Sequence, residues 1–160
     1  MRQEELPTES DFYTDGLDLD GQHAWKCFGG LTLEQAREKF LENPMGYQED
    51  FMFMGGKAFS FYFPVIEEYS KSVYAADPIG ERGVWILSFG IKNHFDGVDL
   101  SYVRHLIPRV LSLADFVLSN NLRLNRYDCE ERERVAEGWE DLVRHIKAIV
   151  TPAQAVQPER

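Results

Sequence analysis

Residues 50–63 read DFMFMGGKAFSFYF, and the fold class turns on this stretch. Aromatic alternation on both sides of Gly55-Gly56 is what a β-hairpin with a two-residue turn would show. In the helical reading, the same glycines separate a short helix from a long one over about 57–73. Phe59, Phe63, Ile66 and Tyr69 then recur at steps of three or four and form one stripe. Pro64 opposes an unbroken helix but is compatible with a kinked one, and Glu67, Glu68, Ser70 and Lys71 supply a polar face. We read the stretch as helix and the chain as all-α, an irregular bundle of about five helices. An α+β arrangement with a hairpin at 50–63 is the alternative.

Working outward from this stretch, helical signals dominate. Thr32 and Gln35 form a capping box for a helix over about 33–42. Asn43-Pro44 ends that helix, because a residue before proline is pushed out of helical geometry. His23 to Phe28, stopped by Gly29-Gly30, is one helical turn or an extended strap. Asp77-Pro78 makes a turn, after which Val84, Leu87, Ile91 and Phe95 step by three or four. Val103, Leu106, Val110, Leu113 and Val117 line an element over about 102–119, capped by Asp99 or Ser101 and expected to kink at Pro108. Asn120-Asn121 suits its C-terminal turn. Asp128 caps a last helix whose stripe is Val135, Trp139, Leu142, Ile146 and Ile149.

The chain has 160 residues, of which 44% are apolar and 13% aromatic, enough for one domain with its own core. The net charge of −10 is concentrated at one end. Residues 1–20 hold seven acids against Arg2 alone and show no periodicity. They are expected to form a flexible acidic arm, followed by one helical domain over 21–151 and a loose tail over 152–160. Clustered Lys and Arg are absent, which argues against nucleic acid as a partner, whereas a basic protein partner is electrostatically favoured. No apolar run approaches the roughly 20 residues of a membrane helix, and the N-terminus does not read as a signal peptide. These features predict a soluble, cytoplasmic protein without membrane contact.

Motifs of chemistry are sparse. Asp18-Leu19-Asp20-Gly21 resembles the middle of a calcium loop, but Gly16 and Cys27 stand where ligands would be needed. It reads as a solvated acidic turn. His23, His94, His105 and His145 match no zinc spacing, although His105, His145 and Cys129 could meet in space. Cys27 and Cys129 read as small hydrophobes. Gly55-Gly56-Lys57 lacks the Walker spacing. No cofactor, metal or catalytic residue is predicted. Seven large rings within residues 51–69 exceed what one helix face can bury. Phe61 or Tyr62 is therefore expected in a groove or exposed patch that a partner covers.

The segment from Tyr47 to Tyr69 contains Gln48-Glu49-Asp50, Met54-Gly55, Lys57-Ala58-Phe59 and Phe61-Tyr62-Phe63-Pro64. It resembles a segment of small uncharacterised bacterial proteins of a domain-of-unknown-function type. In these an acidic helix leads into an Ala-Phe-x-Tyr-Tyr-like helix followed by proline. The resemblance covers about a quarter of the chain and implies a helical fold, and it carries no activity with it.

The expected function is therefore a non-enzymatic protein-interaction role, of adaptor or immunity type, with a basic partner. The alternative is a small-molecule-binding protein or enzyme with a pocket between helices, lined by Tyr62, Trp85, His94 or His105. Candidate pocket or partner residues are Phe61, Tyr62, Trp85, His94 and His105.

Overall fold

The computed structural model describes residues 4–76 and 83–151, and every regular element among them is helical. The stretch at 50–63 is accordingly helix, turn, helix, and the hairpin alternative does not form. In chain order the helices are α1 (Glu9–Phe12), α2 (Leu19–Phe28), α3 (Leu33–Glu42), α4 (Pro44–Phe53) and α5 (Gly56–Glu68). Next come α6 (Val84–His94), α7 (Leu100–Val103), α8 (Ile107–Leu124) and α9 (Cys129–Val150). A π-helical segment, Tyr69–Tyr74, continues α5, and short 3₁₀ turns flank α7.

The expected count of about five helices is too low, for two local reasons. Asn43-Pro44 ends α3 and also begins α4. The Asn43 side chain accepts from the Gly46 N–H at 3.1 Å, and Pro44 occupies the first helical turn, where its missing donor costs nothing. The second reason is α2, a full ten-residue helix where a single turn or strap is expected. Asp18 caps it by accepting from the Gly21 N–H at 2.8 Å, so the supposed acidic turn is a helix start.

The N-terminal reading also needs correction. Residues 8–12 form a capped helical turn rather than an unpacked arm, with Thr8 and Asp11 closing a capping box. Pro7 and Phe12 are buried. The Phe12 ring meets Trp25 edge-on at 5.2 Å and Tyr62 at 6.1 Å. Phe12 and Tyr13, adjacent in a charged stretch, give no period to detect, yet burying Phe12 stabilises by roughly 1.5–3 kcal/mol relative to leaving it in water.

The third correction concerns α8. Pro108 lies in its first turn and kinks nothing, because the chain enters through the 3₁₀ turn Arg104–Leu106. The helix runs past Asn120-Asn121 to Leu124. The Asn121 amide donates to the Arg132 carbonyl oxygen at 2.9 Å, and Asn125 donates to the Asn121 amide oxygen at 2.8 Å. These buried amides act as a polar tie between α8 and α9 instead of a helix stop. The predicted turn at Asp77-Pro78 and the predicted tail over 152–160 lie outside the described residues.

The periodic stripes face the interior, with Ile149 at the end of α9 only partly buried. Phe59, Phe63, Ile66 and Tyr69, then Val84, Leu87, Ile91 and Phe95, are buried. So are Val103, Leu106, Val110, Leu113 and Val117, together with Val135, Trp139, Leu142 and Ile146. Helix α6 packs against both α4 and α9, and α8 lies along α9. Gly138 permits the close α6–α9 approach, since a Cβ there would collide with the Ser88 hydroxyl. No described helix is long and apolar enough to cross a membrane.

Candidate functional site

Three chain segments converge on an open cleft of about 560 Å³. They are Ser10–Thr14 with Asp18, the α4–α5 junction from Met52 to Lys57, and a rim formed by Asn93, Val98, Asp99, Ser101 and Tyr102. The junction can come this close because it carries Gly55 and Gly56. The Gly55 N–H donates to the Phe12 carbonyl oxygen at 2.8 Å. A Cβ on Gly56 would stand 2.8 Å from the Asp99 side chain.

Three carboxylates and one amine set the charge of this cleft. Lys57 Nζ lies 3.3 Å from Asp11 Oδ1. Burial raises the Asp11 carboxyl, but the Thr8 N–H and hydroxyl and the Lys57 ammonium outweigh it and hold the group below its ordinary range. Asp18 is engaged in capping α2. Asp99 is held low by its hydrogen bond to His94, against partial burial, with the Gly56 N–H assisting. Around these acids stand apolar side chains in water. Phe53 is 40% exposed, Val98 89% and Tyr102 50%.

His94 is the support beneath the cleft. Its ring stacks on Phe59 with centroids 4.0 Å apart and planes at 20°. Nε2 lies 2.6 Å from the Phe51 carbonyl oxygen and Nδ1 lies 3.2 Å from Asp99 Oδ2. Both nitrogens face acceptors, so only the doubly protonated ring donates at both positions. His94 is buried and acts through Asp99.

The five residues singled out in the sequence do not share one pocket. Tyr62 is fully buried, and its hydroxyl proton is shared between the Phe28 and Leu31 carbonyl oxygens at 3.0 and 2.7 Å. Burial pushes its phenol up to about 12. Phe61 packs edge-on against Tyr62 at 4.9 Å and lines a second cleft with Pro7, Lys57 and Ser60. His105, which is exposed, lies 3.2 Å from the Ser60 hydroxyl. Trp85 stands apart, over Arg134 and edge-on to Phe89 at 5.7 Å. Phe61, Tyr62 and His105 therefore gather near α5, whereas His94 underlies the acidic cleft and Trp85 joins neither group. The imagined meeting of His105, His145 and Cys129 does not occur either. His145 bonds the Phe95 carbonyl oxygen at 2.8 Å, and Cys129 receives Arg132.

Sequence reasoning missed Asp11, Asp18, Asp99, Phe53, Val98 and Tyr102 as one group. The acidic bias of residues 1–20 was the available signal, and Gly55-Gly56 marked where the chain could approach closely. Another unanticipated cluster joins α2 to α4. His23 Nδ1 lies 2.7 Å from Asp50 Oδ1, and Cys27 Sγ lies 3.8 Å from that nitrogen and 3.9 Å from Nε2. A sulfur equidistant from both nitrogens is aligned with neither lone pair, and burial together with Asp50 raises the Cys27 thiol. This is not the geometry of a thiol activated by a base. No family model matches the chain, and no curated protein or solved structure matches it either.

Proposed function

We propose that this protein is a non-enzymatic binding module whose cleft accepts a basic, partly apolar segment of a partner protein. The observation that carries this reading is the placement of Asp11, Asp18 and Asp99 against a single lysine, beside the exposed side chains of Phe53, Val98 and Tyr102. Carboxylates fixed by internal hydrogen bonds do not need reorganising to receive a cation, which lowers the cost of binding. Tyr102 and Phe53 offer ring faces to an arginine or lysine and apolar area to its neighbours. The overall charge of −10 favours encounter with a basic chain.

The test is a titration of the full chain with a labelled peptide alternating Arg or Lys with Leu or Phe, compared with its Gln-substituted counterpart. The basic peptide binds more tightly at low salt than at about 0.5 M, where the Debye length is only a few ångströms. Val98→Arg places a positive charge on the rim without touching the core and weakens binding. Equal affinity for the neutral peptide, or an affinity unmoved by Val98→Arg, overturns the reading.

A further inference from the structure

A second site lies outside the cleft lining, where α2 packs on α4. His23 and Cys27 are four residues apart on α2, so their side chains rise from one face, one turn apart. Asp50 reaches the same point from α4. Its side chain is only 7% exposed, whereas that of His23 is 64% exposed. One nitrogen, one sulfur and one carboxylate oxygen thus lie within 4.8 Å of one another. The supporting frame is rigid. Phe28, next to Cys27, packs edge-on against Tyr47 at 5.5 Å and against Phe51, next to Asp50, at 5.1 Å.

We propose that His23, Cys27 and Asp50 bind a borderline-soft divalent transition ion of the zinc class. The donor set selects this class, because calcium and magnesium take oxygen ligands, whereas thiolate and imidazole favour zinc and its neighbours. Bonds of 2.0–2.3 Å in a tetrahedral site place ligand atoms about 3.3–3.8 Å apart. The sulfur lies 3.8 Å from the nitrogen that faces Asp50, close to that range, and the exposed His23 ring turns so that the lone pair of this nitrogen meets the ion. The His23–Asp50 hydrogen bond at 2.7 Å would open by about 0.6 Å as the ion takes its place. Charge also balances, since one thiolate and one carboxylate neutralise a dication. A carboxylate as buried as Asp50 is stabilised by a cationic neighbour, and a divalent ion supplies more charge than one histidine. The open side of His23 leaves a fourth position to water. Helical supports suit such a site, because ligands on packed helices hold their positions better than ligands on loops.

The experiment is a cobalt(II) titration of the reduced, metal-free full chain, followed by competition with zinc. Saturation at one equivalent, with the near-ultraviolet charge-transfer absorption of a thiolate–cobalt bond, is expected. Cys27→Ser abolishes that absorption, and His23→Ala weakens zinc binding by more than about tenfold. Cys129→Ser, which removes the remaining cysteine, leaves both unchanged. Asp50→Asn also weakens binding, with circular dichroism confirming its fold. His23 is exposed enough that its variant folds regardless. Absence of saturable binding, a charge-transfer band that survives Cys27→Ser, or one that disappears only with Cys129→Ser overturns the proposal.

Discussion

The backbone N–H of Gly55 donates to the carbonyl oxygen of Phe12 at 2.8 Å, tying the N-terminal helical turn to the junction of α4 and α5. No side chain fits between them. A Cβ at position 55 would collide with the Asp11 carbonyl oxygen, a backbone atom that cannot rotate away. Gly55→Ala should therefore destabilise the protein by about 1–3 kcal/mol, the usual range for overpacking. Urea denaturation reads this directly, and a change under about 0.5 kcal/mol would show that the two segments part easily.

Phe12 itself provides a second, larger test. It is 1% exposed and packs between Trp25 and Tyr62. Phe12→Ala should cost about 3–5 kcal/mol, and removing residues 1–12 should lower the melting temperature. An unchanged melting temperature after truncation would mean that the turn contributes nothing to the core.

The Asp99–His94 contact predicts a pH dependence. The carboxyl of Asp99 is held below its ordinary range when folded, so the unfolded chain takes up the proton first as pH falls. Ionised Asp99 thus contributes stability that is fully present above the ordinary carboxylate range, about pH 4, and is lost as pH falls through the lower, folded value. Denaturation profiles of wild type and Asp99→Asn should diverge at neutral pH and converge in acid. Parallel profiles would rule out a stabilising role for this ionised group.

Trp139 is fully buried, and its indole N–H donates to the Val84 carbonyl oxygen at 3.3 Å. Trp139→Ala should cost about 3–5 kcal/mol. Because the ring bridges α9 and the start of α6, Trp139→Phe should recover most of that loss while still removing the indole donor. A Phe variant no better than Ala would place the energy in the hydrogen bond rather than the packing.

The amide cluster at the C-terminal end of α8 is polar and buried, so its loss should be felt differently. Asn125 donates to the Tyr74 hydroxyl at 2.9 Å and to Asn121 at 2.8 Å. Asn125→Ala leaves both acceptors without this donor and should cost about 1–3 kcal/mol. Asn125→Asp, which retains an oxygen but removes the donors, should be at least as harmful. If it matched wild type in urea, the Asn125 donors would be dispensable.

Much of this architecture is legible along the chain. The inward faces of α5, α6, α8 and α9 follow from their spacing, because a helix turns at 3.6 residues whatever it packs against. The capping box at Thr32 and the cap at Asp128 are visible for the same local reason. Boundaries set by side-chain partnerships were harder to place. Asn120-Asn121 looks like a stop, yet Asn121 finds Arg132 across the helix pair and α8 continues. Phe12 sits beside Tyr13 in an acidic stretch without a repeat, and only its neighbours in space reveal its burial.

Local periodicity and capping chemistry determined, from sequence alone, that the chain is helical and which side chains turn inward. Tertiary structure decided which polar groups meet. His23 finds Asp50 twenty-seven residues away, and His94 links Phe51 and Asp99. Such meetings depend on how helices cross, and helix period carries no information about the crossing. The acidic cleft and the His23–Cys27–Asp50 cluster belong to that second category, because each is assembled from segments that share a place in the fold and no common pattern in the chain.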